Sequence, residues 1–132
     1  MCVFCKIVKK EIPAAILYED DRCLAILDMA QCTKGHTLVL PKQHFDNYLE
    51  ADEETLAHCM IIAKKVGNHL VKQLDAKGLN LLSNVHEVAG QSVNHMHLHI
   101  IPRYTSDDAC KILFAESAKQ DLDVLHQALK MQ

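Results

Sequence analysis

The sequence has no excess of positive charge, no long apolar run, no internal repeat and no low-complexity tract. Fourteen basic residues against 17 acidic ones leave a formal net charge of −3. That balance argues against a protein that coats a nucleic-acid polymer, which carries a basic excess or stripe; a single nucleotide needs only a local site. No stretch approaches the ~20 apolar residues of a membrane span. Lys6, Lys9 and Lys10 break up the first ten residues, so nothing there resembles a signal peptide. The expected setting is the cytoplasm, with no membrane and no nucleic-acid partner.

What is present suits an ordinary folded chain. Of 132 residues, 49% are apolar and 23% charged, enough for a hydrophobic core without staples, and one domain over residues 1–132 is expected. Six cysteines without a secretory signal are weak evidence for disulfides. Cys23 and Cys59 sit in apolar patterns and read as buried thiols, and all six are expected to be reduced.

Periodicity predicts a short helix over Val3 to Lys10 with Phe4 and Ile7 on its apolar side. Strands follow at Ile16 to Glu19 and Cys23 to Leu27, joined by the turn Asp20-Asp21-Arg22, and another at Thr37 to Leu40, closed by Pro41. The longest helix runs from the N-cap Asp52 to about Leu74, with Leu56, Met60, Ala63, Gly67, Leu70 and Leu74 as its buried stripe. His58 and His69 on it read as solvent-facing or rim residues. Leu79 to Ser83 is a strand, Asn84 to Ser92 a loop, and a last helix over Ala118 to Lys130 buries Leu122, Leu125 and Leu129. Hairpins with helices gathered around them predict an α+β fold with an antiparallel sheet.

The chemistry concentrates in Asn94 to Pro102. His95, His97 and His99 alternate with Met96, Leu98 and Ile100, a half-buried strand with imidazoles on one face. Neutral imidazole is a nucleophile toward phosphorus and carbonyl centres, while an H-x-H pair also suits a metal; spacing alone does not separate the two. Just upstream, Gly90, Gln91 and Ser92 offer backbone N–H groups, an amide and a hydroxyl to a phosphoryl oxygen. Cys2 and Cys5 form a C-x-x-C pair that reads as half a zinc site, a redox pair or chance; His44 and His95 are candidates to complete a zinc site. Asp28 ends a strand, and either simply terminates it or accepts hydrogen bonds from a ribose diol.

The run Gly90-Gln91-Ser92-Val93-Asn94-His95-Met96-His97-Leu98-His99-Ile100-Ile101 resembles the signature of the histidine-triad (HIT) family. Phe4-Cys5-Lys6-Ile7-Val8, Glu11-Ile12-Pro13, Tyr18-Glu19-Asp20, Ala25-Ile26-Leu27-Asp28 and Gly35-His36-Thr37-Leu38-Val39-Leu40-Pro41-Lys42 match in the same order, so the likeness covers about residues 2 to 104. It is closest to small bacterial zinc-containing members. The resemblance implies a HIT-like sheet of about five strands with one long helix and shorter terminal helices. It also implies a homodimer that hydrolyses a purine nucleotide at the α-phosphate through a nucleotidyl-histidine intermediate. Nucleoside phosphoramidates, acyl-nucleotides and dinucleoside polyphosphates are the substrate classes.

By motif position His97 is the implied nucleophile, His99 contacts the phosphate or leaving group, and His36 orients the nucleophile. Gly90, Gln91, Ser92, Val93 and Asn84 match positions around the phosphate, Asp28 the ribose carboxylate, and Phe4, Ile7 and Met29 the base pocket. Cys2, Cys5, His44 and His95 match the ligands of one structural zinc, and no organic cofactor is implied. Pro102-Arg103 resembles the dinucleoside-polyphosphate branch and several bacterial members. No tryptophan is present to make the tail contact of some phosphoramidases, and residues 105–132 carry little family pattern. Two other classes stand beside this one: a nucleotide-binding sensor or adaptor, against which intact His97 and His99 argue, and a metalloenzyme whose catalytic metal sits on the histidine row.

Overall fold

A computed structural model describes residues 2–131. Five strands, β1 (Ile16–Glu19), β2 (Cys23–Leu27), β3 (Thr37–Pro41), β4 (Gly78–Leu82) and β5 (Leu98–Arg103), form one antiparallel sheet in the order β1-β2-β3-β5-β4. Helices α1 (Val3–Val8), α2 (Glu53–Leu74) and α3 (Leu122–Leu129) accompany it, with a 3₁₀ turn at Glu87–Ala89. The α+β expectation holds.

Alternation along the central strands sorts the core into two layers. Cys23, Ala25, Val39, Leu98 and Ile100 face α2, where they meet Cys59, Ile62, Ala63, Val66 and Leu70. Leu24, Ile26, Leu38 and Leu40 face the other way, onto Phe4 and Ile7 of α1. Short α1 is capped by Cys2, whose Sγ accepts from the Cys5 N–H, and it ends two residues sooner than expected because Lys10 turns to φ 63°. The backbone N–H of Glu11 then closes onto Lys6 O.

Helix α2 begins on the expected cap, Asp52 accepting from Thr55 N–H, and ends on Asp75 in the left-handed region. Most of the expected stripe faces the core: Ala63, Gly67 and Leu70 are buried, and Leu56 and Leu74 pack against the core. Met60 is the exception at 49% exposed, and Thr55, Cys59, Ile62 and Val66 complete the buried face in its place. His58 is half-buried and bonds Asp20, while His69 is exposed.

Two further expectations are corrected. The histidine strand starts at Leu98 and not at Asn94. Upstream of it, Met96 N–H is taken by Phe45 O and the His97 carbonyl by Ser83 Oγ, so these groups leave the ladder. The imidazole side is not a solvated face either: His95 is fully buried and His97 is 5% exposed. At the other end, α3 is shorter than residues 118–130 and buries nothing. Leu122 and Leu129 are 75% and 70% exposed, Leu125 is half-buried, and the Asp121 N-cap holds the turn.

Candidate functional site

On the α1 face of the sheet lies a cavity of about 340 Å³. Its walls are apolar, from Phe4, Ile7, Ile26, Leu38 and Val93, and its polar groups gather at one end: Asp28, Ser92, His97 and His99. Met29 stands fully exposed at the mouth. Of the residues singled out in the sequence, Phe4, Ile7, Asp28, Met29, Ser92, Val93, His97 and His99 therefore share one cavity. The β3–β5 register explains the polar end. Leu38 pairs with His99 and Val39 with Leu98, so His99 emerges on the face opposite α2. Val3 of α1 and, beyond it, Ile12, Pro13 and Ala14 also line the wall; the last three lie in a segment with no regular period to place them.

Hydrogen bonds fix the protons on the imidazoles by inference from their partners. His97 Nδ1 lies 2.7 Å from the His95 carbonyl. A carbonyl only accepts, so Nδ1 carries the proton and Nε2 keeps its lone pair. The Cys32 N–H donates to His36 Nδ1 at 3.3 Å, which places the His36 proton on Nε2. That Nε2–H donates to His99 Nδ1 at 2.9 Å, leaving the His99 proton on Nε2. One imidazole thus offers a bare nitrogen and its neighbour an N–H donor, with ring centroids 4.9 Å apart. Burial lowers the pKa of His97 below the usual histidine value. Burial, then the charges of His97 and His36, brings His99 to about 4. Both are neutral at pH 7.

This geometry places His36 against His99. Its ring contacts His99, and also Asp28 Oδ2 at 3.5 Å, while the nucleophile candidate His97 is oriented by main chain. Asp28, His36 and His99 do bring three donor atoms within 4.8 Å of one another. A cation there would have to displace the His36 Nε2 proton and move it to Nδ1, against the Cys32 N–H, so the cluster reads as a hydrogen-bonded chain and not as a catalytic metal centre.

The expected phosphate cradle also contracts. Gly90 N–H bonds Glu87 O and Gln91 N–H bonds His86 O. The Gln91 side chain is buried, accepting from His86 N–H and donating to the carbonyls of Asp46 and Val93. Gly90, at φ 102°, makes the turn, and Asn84 packs beside it with its amide 3.4 Å from the position a Cβ would take. Gln91, Gly90 and Asn84 therefore build the loop, and Gly90 and Gln91 line a neighbouring cleft that shares Ser92 with the cavity. Among the described residues, Ser92 keeps both its N–H and its hydroxyl without an internal partner, and it lies at the cavity edge.

A second cluster sits behind Phe4. Cys2 Sγ, Cys5 Sγ, His44 Nδ1 and His95 Nδ1 converge, with S···N separations of 3.4, 3.4 and 3.6 Å and N···N of 3.2 Å. Four ligands around zinc at tetrahedral angles stand roughly 3.6 Å (S···N) and roughly 3.3 Å (N···N) apart. The other nitrogens agree. His95 Nε2–H donates to Pro41 O at 2.8 Å, and His44 Nε2–H to Asp46 Oδ1 at 2.9 Å, so both Nδ1 atoms carry lone pairs. Two lone pairs 3.2 Å apart repel unless a cation lies between them, and second-shell anchoring of this kind is usual for ligating histidines. The donor set fits zinc. Asp46 was not foreseen, although His44-x-Asp46 was a readable signal.

The chain is similar to known proteins over most of its length. The sequence model described as "HIT domain" matches residues 9–106. An uncharacterised HIT-like protein of Methanocaldococcus jannaschii is 43% identical over 130 residues, covering 98% of this chain and 99% of that one. Arabidopsis thaliana adenylylsulfatase HINT3 is 42% identical over 106 residues, 80% of this chain and 54% of its own. The crystal structure of a HIT family protein from Bacillus anthracis superposes with TM-score 0.90 at 38% identity, covering 96% and 91% of the two chains. A zinc-bound histidine-triad protein of Mycobacterium smegmatis gives 0.77 at 37%, covering 89% and 84%.

Proposed function

This chain belongs to the HIT family, and from that premise we propose that it hydrolyses nucleotides at the α-phosphate. The observation that carries the reading is the buried His97, its Nδ1–H spent on the His95 carbonyl and its Nε2 bare beside the cavity. The apolar walls and volume suit a purine base, a chemistry in keeping with the adenylylsulfatase relative. Asp28, half-buried at the polar end, suits a ribose diol.

In the proposed reaction His97 Nε2 attacks the α-phosphorus, and the bond to the leaving group breaks as that group, held by a hydrogen bond from His99 Nε2–H, takes its proton from solvent. A nucleotidyl-His97 intermediate results, splitting one hard displacement into two easier ones. Water then attacks phosphorus, loses its proton to solvent, and releases the nucleoside monophosphate with His97 restored. Ser92, with N–H and hydroxyl free, supports the charge on the equatorial oxygens. Leaving groups that need a proton, such as amines, depend most on His99.

Cys2, Cys5, His44 and His95 would hold one zinc, which supplies a structural tie between α1 and the foot of the catalytic segment. The nucleotide is the partner, and a second copy of this chain is the proposed assembly. Leu79 and Leu81 on the edge strand β4 stand exposed beside Met60 of α2. Cysteines held as thiolates fit a reducing, cytoplasmic setting.

The test is turnover of a fluorogenic nucleotidyl phosphoramidate. His97→Ala is expected to lose at least about a thousandfold in kcat, as for removal of a covalent nucleophile. Unchanged turnover would overturn the assignment.

A further inference from the structure

The loop between β2 and β3 carries Asp28 at one end and His36 at the other, and a single side chain ties the two together. Gln31 Nε2 donates to the Asp28 carbonyl at 2.6 Å and to the His36 carbonyl at 2.7 Å, and Gln31 Oε1 accepts from the Gly35 N–H at 2.8 Å. The main chain closes the same ring, Asp28 N–H donating to His36 O at 2.9 Å. The next residue, Cys32, points its N–H at His36 Nδ1. Gln31 thus holds the turn that aims the Cys32 N–H, and that N–H decides which nitrogen of His36 bears the proton.

We propose that Gln31 is a positioning residue that fixes the tautomer of His99 through Cys32 N–H and His36. With the Cys32 N–H in place, His36 must donate from Nε2, His99 must accept at Nδ1, and the His99 proton faces the cavity. If the turn loosens, His36 is free to take its other tautomer. Its bare Nε2 then faces His99 Nδ1, which draws the proton to that side and leaves a lone pair where the leaving group needs a donor. Tyr104 Oη–H on Lys34 O and Thr33 Oγ1–H on Pro102 O pin the rest of the loop. Gln31 itself is exposed, so its replacement leaves the core intact. The inference rests on the proposed hydrolysis only for its kinetic part; the tautomer part stands without turnover.

The experiment uses the full chain with Gln31→Met, which keeps length and loses all three hydrogen bonds. Gln31→Glu, which keeps the acceptor for Gly35 but sets a carboxylate against two carbonyls, serves as a second variant. Long-range ¹H–¹⁵N spectra of the imidazoles are expected to show His99 as the Nε2–H form in the wild type and as a mixture in both variants. With substrates of equal nucleoside, kcat for an amine leaving group should fall about tenfold, and that for an acidic phenol by less than about twofold, with KM little changed, the scale of one or two lost hydrogen bonds. An unaltered His99 tautomer in both variants overturns the proposal, as does an equal loss for both leaving groups. If His97→Ala retains turnover while the tautomer still shifts in the Gln31 variants, the hydrolase reading fails and the positioning role survives.

Discussion

Asp20 shows how much one carboxylate can organise when several donors converge on it. It accepts from Tyr18 Oη and His58 Nε2 on one oxygen, and from the N–H groups of Arg22 and Cys23 on the other. Burial alone would raise its pKa, but the Arg22 N–H, the Tyr18 hydroxyl, His58 and the Cys23 N–H outweigh that and hold it at about 2. The folded-state value lies below the unfolded one, so the stabilisation is present above the unfolded value and disappears as pH falls through the range from about 4 to about 2. For a side chain only 20% exposed, a displacement of that size corresponds to about 2 kcal/mol at neutral pH. Asp20→Asn should therefore cost about that much in urea denaturation at pH 7, and the gap to wild type should narrow steadily below pH 4. A gap that stays constant down to pH 2 would show that the carboxylate's charge has no part in it. At this scale the sequence was informative about the grouping of Cys2, Cys5, His44 and His95 and about the placing of His97 and His99 together, and uninformative about the remaining contacts. The His36–His99 contact depends on the register of two strands 63 residues apart, and the inward turn of Gln91 depends on Asp46 O lying within reach. Neither distance is written in a local tripeptide.

Helix α1 illustrates what an element of six residues needs in order to hold still. It is too short to be stable by hydrogen bonding alone, and its anchors are the Phe4 and Ile7 contacts with the sheet and the cluster at its first turn. Phe4 also sets its ring edge-on to His95 and His97, at centroid distances of 5.8 and 5.1 Å. Losing the metal ligands should accordingly loosen one wall of the cavity. Cys2→Ser/Cys5→Ser is expected to drop zinc from about one per chain to near zero and to lower the melting temperature, with KM raised more than kcat is lowered. Zinc kept by that variant, or lost on His97→Ala, would count against the site. Helix α2 was legible in extent because its cap and its exit turn are local signals. Its buried face was largely legible too, Ala63, Gly67 and Leu70 being buried as expected, and only the sheet beneath chooses Cys59 over Met60.

At the scale of the whole molecule, apolar surface is left exposed. Met60 on α2 adjoins Leu79 and Leu81 on the edge strand β4, and such an edge invites another strand. The amphipathic α3 adds Leu122, Val124 and Leu129, each at least 65% exposed. The sequence showed α3 as a helix with an apolar stripe, but nothing in a stripe tells whether the surface that covers it lies in the same chain. If β4 pairs with a second copy, Leu81→Arg should convert a dimer into a monomer in sedimentation at micromolar concentration; a wild-type chain that already sediments as a monomer would exclude that assembly. A last consequence comes from the His95 carbonyl, the group that holds His97. It belongs to the main chain, so no substitution at position 95 deletes it. A change in the side chains of Cys2, Cys5, His44 or His95 therefore leaves that acceptor in the main chain, and with it the proton on His97 Nδ1 and the bare Nε2.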